Sequence, residues 1–75
     1  SGPLTEKSQN LIKLGIATGA TSRGGVMSQT RKAINNGATK EEINQVILLS
    51  LSTIGFPNMI AALNWAGEVL EKEDE

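Results

Sequence analysis

The fold of this chain is decided by residues 36–57, NGATKEEINQVILLSLSTIGFP. The dipeptide Asn36-Gly37 is typical of a helix end, because glycine adopts the left-handed backbone conformation at low cost. Thr39 and Glu42 have the spacing of a capping box, in which each side chain accepts a hydrogen bond from the backbone N–H of the other residue. This pattern predicts that one helix ends near residue 36 and that another begins at residue 40.

The helix predicted at residues 40–54 is apolar on nearly every side, with Ile43, Val46, Ile47, Leu48, Leu49, Leu51 and Ile54. A helix on a protein surface keeps a polar stripe, so we expect this helix to be buried on more than one side. Gly55 and Pro57 predict its end and the first turn of the next helix. Because a chain of 75 residues offers little other protein to cover such a helix, we expect it to self-associate.

Two further features of the sequence concern local structure. We expect the hydroxyls of Ser50, Ser52 and Thr53 to bond back to carbonyls one turn earlier in the apolar helix. Thr5 is suited to cap the first helix.

The whole chain reads as an all-α, compact four-helix domain that assembles as a homo-oligomer. Apolar residues recur at helical spacing, and no segment alternates as a strand would. The predicted helices cover residues 5–18, 25–36, 40–54 and 57–71. The single domain covers residues 4–72, with residues 1–3 read as a cloning scar and residues 73–75 as a frayed acidic tail.

Composition excludes several classes of chemistry. The chain has no cysteine and no histidine, which removes disulfides, thiol catalysis, the commonest metal ligand and the commonest general base. We therefore expect no metal and no cofactor. The net charge of −1 and the lack of a long apolar run lead us to expect a cytoplasmic protein that binds neither nucleic acid nor membrane.

Two motifs suggest ligands that the surrounding residues do not support. The glycine-rich segment at residues 19–25, GATSRGG, lacks the spacing of known phosphate-binding loops. Residues 27–51 have the outline of a DNA-binding helix-turn-helix, but Glu41 and Glu42 would face the phosphates, and the helix behind them is too apolar for a wet groove. We expect neither function.

The block TRKAINNGATKEEINQVILLSLSTIGFP followed by AALNWAGEVL resembles the carboxymuconolactone decarboxylase family, which includes the alkylhydroperoxidase-D-like (AhpD-like) proteins. The family pattern is matched in place by Arg31, Ala33, Gly37, Ala38, Thr39, Glu42, Ile43, Gly55 and Pro57. The opening LTEKSQNLIKLGIA also resembles the first helix of the family. The resemblance implies an all-α fold, a homotrimer or homohexamer, and clefts between helices and subunits.

The catalytic residues of the family are missing. Where the peroxidase branch has a C-x-x-C motif, this chain has Ser22 and Gly25; where it has a histidine, Gln29; and where it has a glutamate, Asn10. None of these four can form a thiolate or relay a proton near neutral pH, so we expect no peroxidase activity. The decarboxylase branch carries histidines in the same region, and residues 26–30, VMSQT, contain none.

Two functions are compatible with these matches. They leave open whether the chain is an enzyme, and the missing catalytic residues favour a non-enzyme. The first is a non-catalytic member of the family: a homo-oligomeric structural or small-ligand-binding unit, or a scaffold engineered from the family. The alternative is an enzyme that acts on a small carboxylated or lactone substrate, with Arg31 holding a carboxylate. The candidate pocket-lining residues are Asn10, Ser22, Gln29 and Arg31.

Overall fold

A computed structural model describes residues 2–73, and within this range the chain folds entirely into helices and turns. Four helices of nine or more residues and one short helix follow each other along the chain. They are α1 (Glu6–Gly19), α2 (Arg23–Asn35), α3 (Lys40–Leu48), α4 (Leu51–Ile54) and α5 (Phe56–Glu73). The predicted all-α class and the four main helices are confirmed.

Each of the first three helices begins at a hydroxyl that caps it. The side-chain oxygens of Thr5, Ser22 and Thr39 each accept a hydrogen bond at 3.1 Å from the backbone N–H three residues later. The carboxylate of Glu42 accepts the N–H of Thr39 at 2.9 Å, which confirms the predicted capping box. Because Ser22 caps α2, that helix begins at Arg23, two residues earlier than predicted.

The prediction of one continuous helix at residues 40–54 is wrong, because the helix is interrupted at Leu49 and Ser50. The backbone N–H of Ser50 bonds the carbonyl of Ile47 at 2.9 Å, three rather than four residues back. The hydroxyl of Ser50 donates to the same carbonyl at 2.6 Å. This carbonyl therefore serves both donors of Ser50, and the regular α-helical pattern is interrupted there.

The core lies where α1, α2, α3 and α5 meet. Its fully covered side chains include Leu14, Val26, Ile43, Ile47 and Ala66. Trp65 is half-buried and packs against this cluster. The accessible surface is 4539 Å², close to the roughly 4400 Å² that size scaling gives for a folded monomer of this mass.

The apolar segment at residues 40–54 is covered only in part by its own chain. Ile43 and Ile47 are fully buried, whereas Leu48 is 46% exposed, Leu49 64% and Leu51 49%. The predicted burial on several sides is therefore not met within one chain. Self-association, which would cover these side chains, stays a prediction.

The ends of the described range differ slightly from the predicted ends. Helix α5 continues to Glu73, so its last residue belongs to the segment that was predicted to fray. Ser1 of the predicted cloning scar and Asp74 and Glu75 of the predicted tail lie outside the described residues. None of the helices described is both long and apolar enough to cross a membrane.

Candidate functional site

Three side-chain amides meet between α1 and the end of α2, and we call them the amide cluster: Asn10, Gln29 and Asn36. The Nδ2 of Asn10 donates to the Oε1 of Gln29 at 3.4 Å. The Nδ2 of Asn36 donates to the Oδ1 of Asn10 at 2.8 Å. The structure therefore brings together Asn10 and Gln29, the two positions at which the family resemblance places a glutamate and a histidine.

Helix packing and a helix cap hold the amide cluster in place. Asn10 lies on the side of α1 that packs against α2, and it is only 6% exposed. Asn36 is the residue that ends α2, and its amide also donates to the carbonyl of Lys32 at 3.0 Å. Amides donate and accept hydrogen bonds but do not ionise near neutral pH. The cluster can bind polar groups, but it has no group that could act as a general acid or base.

Ser22 and Gly25 lie against each other at the start of α2, as the two ends of a C-x-x-C motif would. The Oγ of Ser22 accepts the N–H of Gly25. A Cβ added at Gly25 would come within 2.9 Å of that oxygen and within 3.0 Å of the Cβ of Ala17. Ser22 therefore acts as a helix cap, and Gly25 allows α1 and α2 to pack closely.

Arg31 lies apart from the other three candidates. It is exposed, and it is two residues beyond Gln29 on α2, which is a rotation of about 200° around the helix. Within residues 2–73, its guanidinium makes no hydrogen bond or ion pair. The four candidates therefore do not form one constellation within a single chain, and their pocket-lining role stays a prediction.

An apolar groove of about 360 Å³ runs between α1 and the α3–α4 segment, on another side of α1 from the amide cluster. It is lined by Leu11, Ile12, Gly15, Val46, Leu49, Ser50 and Thr53. None of the four candidates lines it. The groove is not evident from the sequence, because its apolar positions have the spacing of ordinary core residues. The one available signal was Gly15, which leaves an open position in the middle of α1.

Two carboxylates of the described residues, Glu42 and Glu68, pair with basic side chains. Within residues 2–73, no three acidic side chains cluster as a metal site would require. The pKa of Glu42 is lowered, first by the hydrogen bond from the backbone N–H of Thr39 and then by the hydrogen bond from Lys7. Lys7 Nζ lies 3.2 Å from a carboxylate oxygen of Glu42 and joins α1 to the start of α3.

Comparison with known proteins gives a family that agrees with this architecture. The model of the carboxymuconolactone decarboxylase family matches residues 1–68. The chain belongs to this family. In the same comparisons no curated protein and no solved structure matched. The family resemblance noted in the sequence is confirmed, and this carboxymuconolactone decarboxylase-family chain lacks the cysteines that the peroxidase branch would use.

Proposed function

We propose that this chain is a non-catalytic member of the carboxymuconolactone decarboxylase family, a homo-oligomeric unit with a structural or small-ligand-binding role. One observation carries the proposal. Asn10 and Gln29 occupy the positions of the family's glutamate and histidine, and they bond to each other and to Asn36 instead of presenting a titrating group. Catalysis by proton transfer needs a group whose pKa lies near the working pH, and an amide has none.

The homo-oligomeric part of the proposal is supported by apolar side chains that the single chain leaves exposed. Leu48, Leu49 and Leu51 lie together at the break between α3 and α4, and Phe56 follows at the start of α5 with 61% of its surface exposed. Soluble monomers rarely expose large contiguous apolar patches, and such patches commonly mark contacts with other proteins. A homotrimer or homohexamer would bury Leu48, Leu51 and Phe56 between subunits, whereas Leu49 also lines the groove beside α1.

The enzyme alternative has less support from the geometry. It requires Arg31 to hold a substrate carboxylate while Gln29 and Asn10 contact the reacting part. Arg31 points away from Gln29 around α2, so one small molecule would not reach all three within a single chain. The alternative becomes possible if a neighbouring subunit supplies the arginine, and it stays a separate prediction.

Two measurements on the same preparations test the proposed function. The first is the solution mass by light scattering across a dilution series, for which we expect three or six chains at every concentration. The second is turnover of an alkyl hydroperoxide with a dithiol reductant and of a panel of small carboxylated lactones. We expect no turnover above the blank, and the same result for Gln29→Ala and Arg31→Ala.

The control is Asn64→Ala, which replaces an exposed amide on α5 far along the chain from the amide cluster. Turnover by the wild-type chain that is lost in Gln29→Ala or Arg31→Ala, but kept in Asn64→Ala, would show that the chain is an enzyme. A stable monomer would overturn the homo-oligomeric part of the proposal. Thermal stabilisation by a small acid that disappears in Gln29→Ala would place ligand binding at the amide cluster.

A further inference from the structure

The groove between α1 and the α3–α4 segment has the size of a small-molecule site. Its volume of about 360 Å³ lies within the roughly 300–1,000 Å³ that ligand pockets occupy. Its walls are the apolar side chains of Leu11, Ile12, Val46 and Leu49. Gly15 leaves room between them, because a Cβ there would lie 3.6 Å from Cγ1 of Val46, at ordinary contact distance.

Two polar side chains line the groove, those of Ser50 and Thr53, and the hydroxyl hydrogen of each is donated in a hydrogen bond within the chain. The hydroxyl of Ser50 donates to the carbonyl of Ile47 at 2.6 Å, and the hydroxyl of Thr53 donates to the carbonyl of Ser50 at 2.9 Å. A hydroxyl has one hydrogen and two lone pairs. Toward a bound molecule, each of these oxygens can therefore act only as a hydrogen-bond acceptor.

Among the described residues, no charged side chain lines the groove. A carboxylate or an ammonium group that entered it would lose hydration without gaining an ion partner, which is unfavourable. We propose that the groove binds a small neutral molecule with an apolar body and one hydroxyl donor, of the phenol or alcohol class. This proposal rests on the small-ligand role proposed above and assigns that role to the groove instead of the amide cluster.

The acceptor-only hydroxyls also favour a small molecule over a second copy of the chain as the occupant. The large apolar side chains that the described surface exposes are leucines, isoleucines and one phenylalanine, and none of them carries a donor. If these side chains filled the groove of another copy, the hydroxyls of Ser50 and Thr53 would keep the hydrogen bonds that they donate, but their lone pairs would lose the water that they accept from. Losing that accepted hydrogen bond is unfavourable, and the hydroxyl donor of a small molecule would restore it.

Three probes that share a 4-propylphenyl body separate the chemical requirements: 4-propylphenol, its methyl ether 4-propylanisole, and 4-propylbenzoate. Binding is followed by amide chemical shifts in ¹H–¹⁵N spectra of the wild-type chain. We expect 4-propylphenol to shift the amides of Gly15, Val46, Leu49 and Thr53. The ether, which lacks the donor, should bind about tenfold more weakly, and the benzoate should cause no shift.

Two variants and one control tie the binding to the groove. Gly15→Leu fills the space between the helices and should abolish binding of 4-propylphenol. Thr53→Val keeps the shape but removes one acceptor, so it should weaken the phenol about tenfold and leave the ether unchanged. Ser52→Ala removes an exposed hydroxyl of α4 outside the groove and should change neither. If Gly15→Leu does not fold, Thr53→Val still decides.

Several outcomes would overturn the proposal. Equal binding of the phenol and its ether would show that the ligand needs no hydroxyl donor. Binding of the benzoate would show that the ligand need not be neutral. Shifts confined to Asn10, Gln29 and Asn36 would overturn the groove as the site while leaving the proposed small-ligand role intact. A changed solution mass in Gly15→Leu, with no phenol binding to the wild-type chain, would show that a second copy occupies the groove.

Discussion

Two sides of α1 are filled in different ways, and each is marked by a glycine. On the α2 side, Gly25 brings the helices so close that an added Cβ would lie 3.0 Å from that of Ala17. On the α3–α4 side, Gly15 of α1 itself leaves a groove, and an added Cβ would make ordinary contact with Val46. The same residue type closes one interface and keeps the other open.

The polar groups on these two sides follow the same division. On the closed side, Asn10 is buried and bonds to the amide of Gln29 in α2 and to that of Asn36, which caps this helix. On the open side, the ion pair between Lys7 and Glu42 is exposed to solvent, and each of its side chains is more than a third exposed. The comparison indicates that the α1–α2 side is closely packed and joined by buried amides, while the α3–α4 side keeps an open groove and an exposed ion pair.

The largest expected change in the free energy of unfolding comes from replacing the glycine on each side of α1 by alanine. Gly25→Ala should lower the free energy of unfolding by about 1–3 kcal/mol, because the new Cβ meets Ala17 and displaces the capping hydroxyl of Ser22. Gly15→Ala should raise it by up to about 1 kcal/mol, since alanine favours the helix and fits beside Val46. Urea unfolding of both variants measures the difference.

Equal effects of the two alanine substitutions would break the comparison. Gly67→Ala on α5 provides the reference, because a Cβ there meets nothing within 4 Å. Its effect isolates the helix preference of alanine from any packing change. A Gly25→Ala variant that matched Gly67→Ala would show that α1 and α2 are not in tight contact.

Much of the fold follows from local signals in the sequence. Thr5, Thr39 and Glu42 cap helices as predicted, because capping depends on residues within one turn of each other. Gly37 and Gly55 both adopt a positive φ, at 95° and 85°, where helix ends were predicted. These features need no knowledge of the rest of the chain.

The break at Ser50 and the groove are harder to predict, because they depend on how the helices meet. The hydroxyls of Ser50, Ser52 and Thr53 bond to carbonyls three residues earlier, as predicted, but the sequence does not show that this would interrupt the helix. Leu11 and Val46 have the spacing of core residues, and only the packing of α1 on α3 leaves a groove between them. The family resemblance made Asn10 and Gln29 pocket-lining candidates, whereas their contact with each other and with Asn36 is seen only in the structure.

A smaller change in the free energy of unfolding is expected at a buried threonine of α2 whose hydroxyl has no partner among the described residues. Thr30 and Thr18 are both fully buried, but the hydroxyl of Thr18 donates to the carbonyl of Leu14 at 2.8 Å, whereas that of Thr30 has no partner among the described residues. Thr30→Val should raise the free energy of unfolding by about 1 kcal/mol, because it removes a buried unpaired hydroxyl. Thr18→Val should lower it by a similar amount.

Thermal and urea unfolding measure the change in the free energy of unfolding for each of the two valine variants. The substitutions have nearly the same shape change, so their difference reports the hydrogen bond. Destabilisation by Thr30→Val comparable to that by Thr18→Val would mean that the hydroxyl of Thr30 is paired in solution.

The smallest expected effect is the pH dependence of the open side, where Glu42 accepts from Thr39 and pairs with Lys7. Folding lowers the pKa of Glu42 below its usual value of 4.5. A carboxylate with a lowered pKa binds fewer protons in the folded state, so its stabilising effect is fully present above that usual value and is lost as pH falls through the folded pKa. Glu42→Gln keeps a capping side chain without the charge.

We therefore expect the wild-type chain to be more stable than Glu42→Gln at pH 7, by an amount that stays constant down to about pH 5 and then shrinks. Urea unfolding between pH 7 and pH 3 measures this difference. Glu41→Gln, at the neighbouring exposed carboxylate, controls for the change in net charge. A difference that persisted unchanged at pH 3 would mean that the charge of Glu42 does not hold α1 to α3. The open side would then rest on the apolar contacts beside the groove alone.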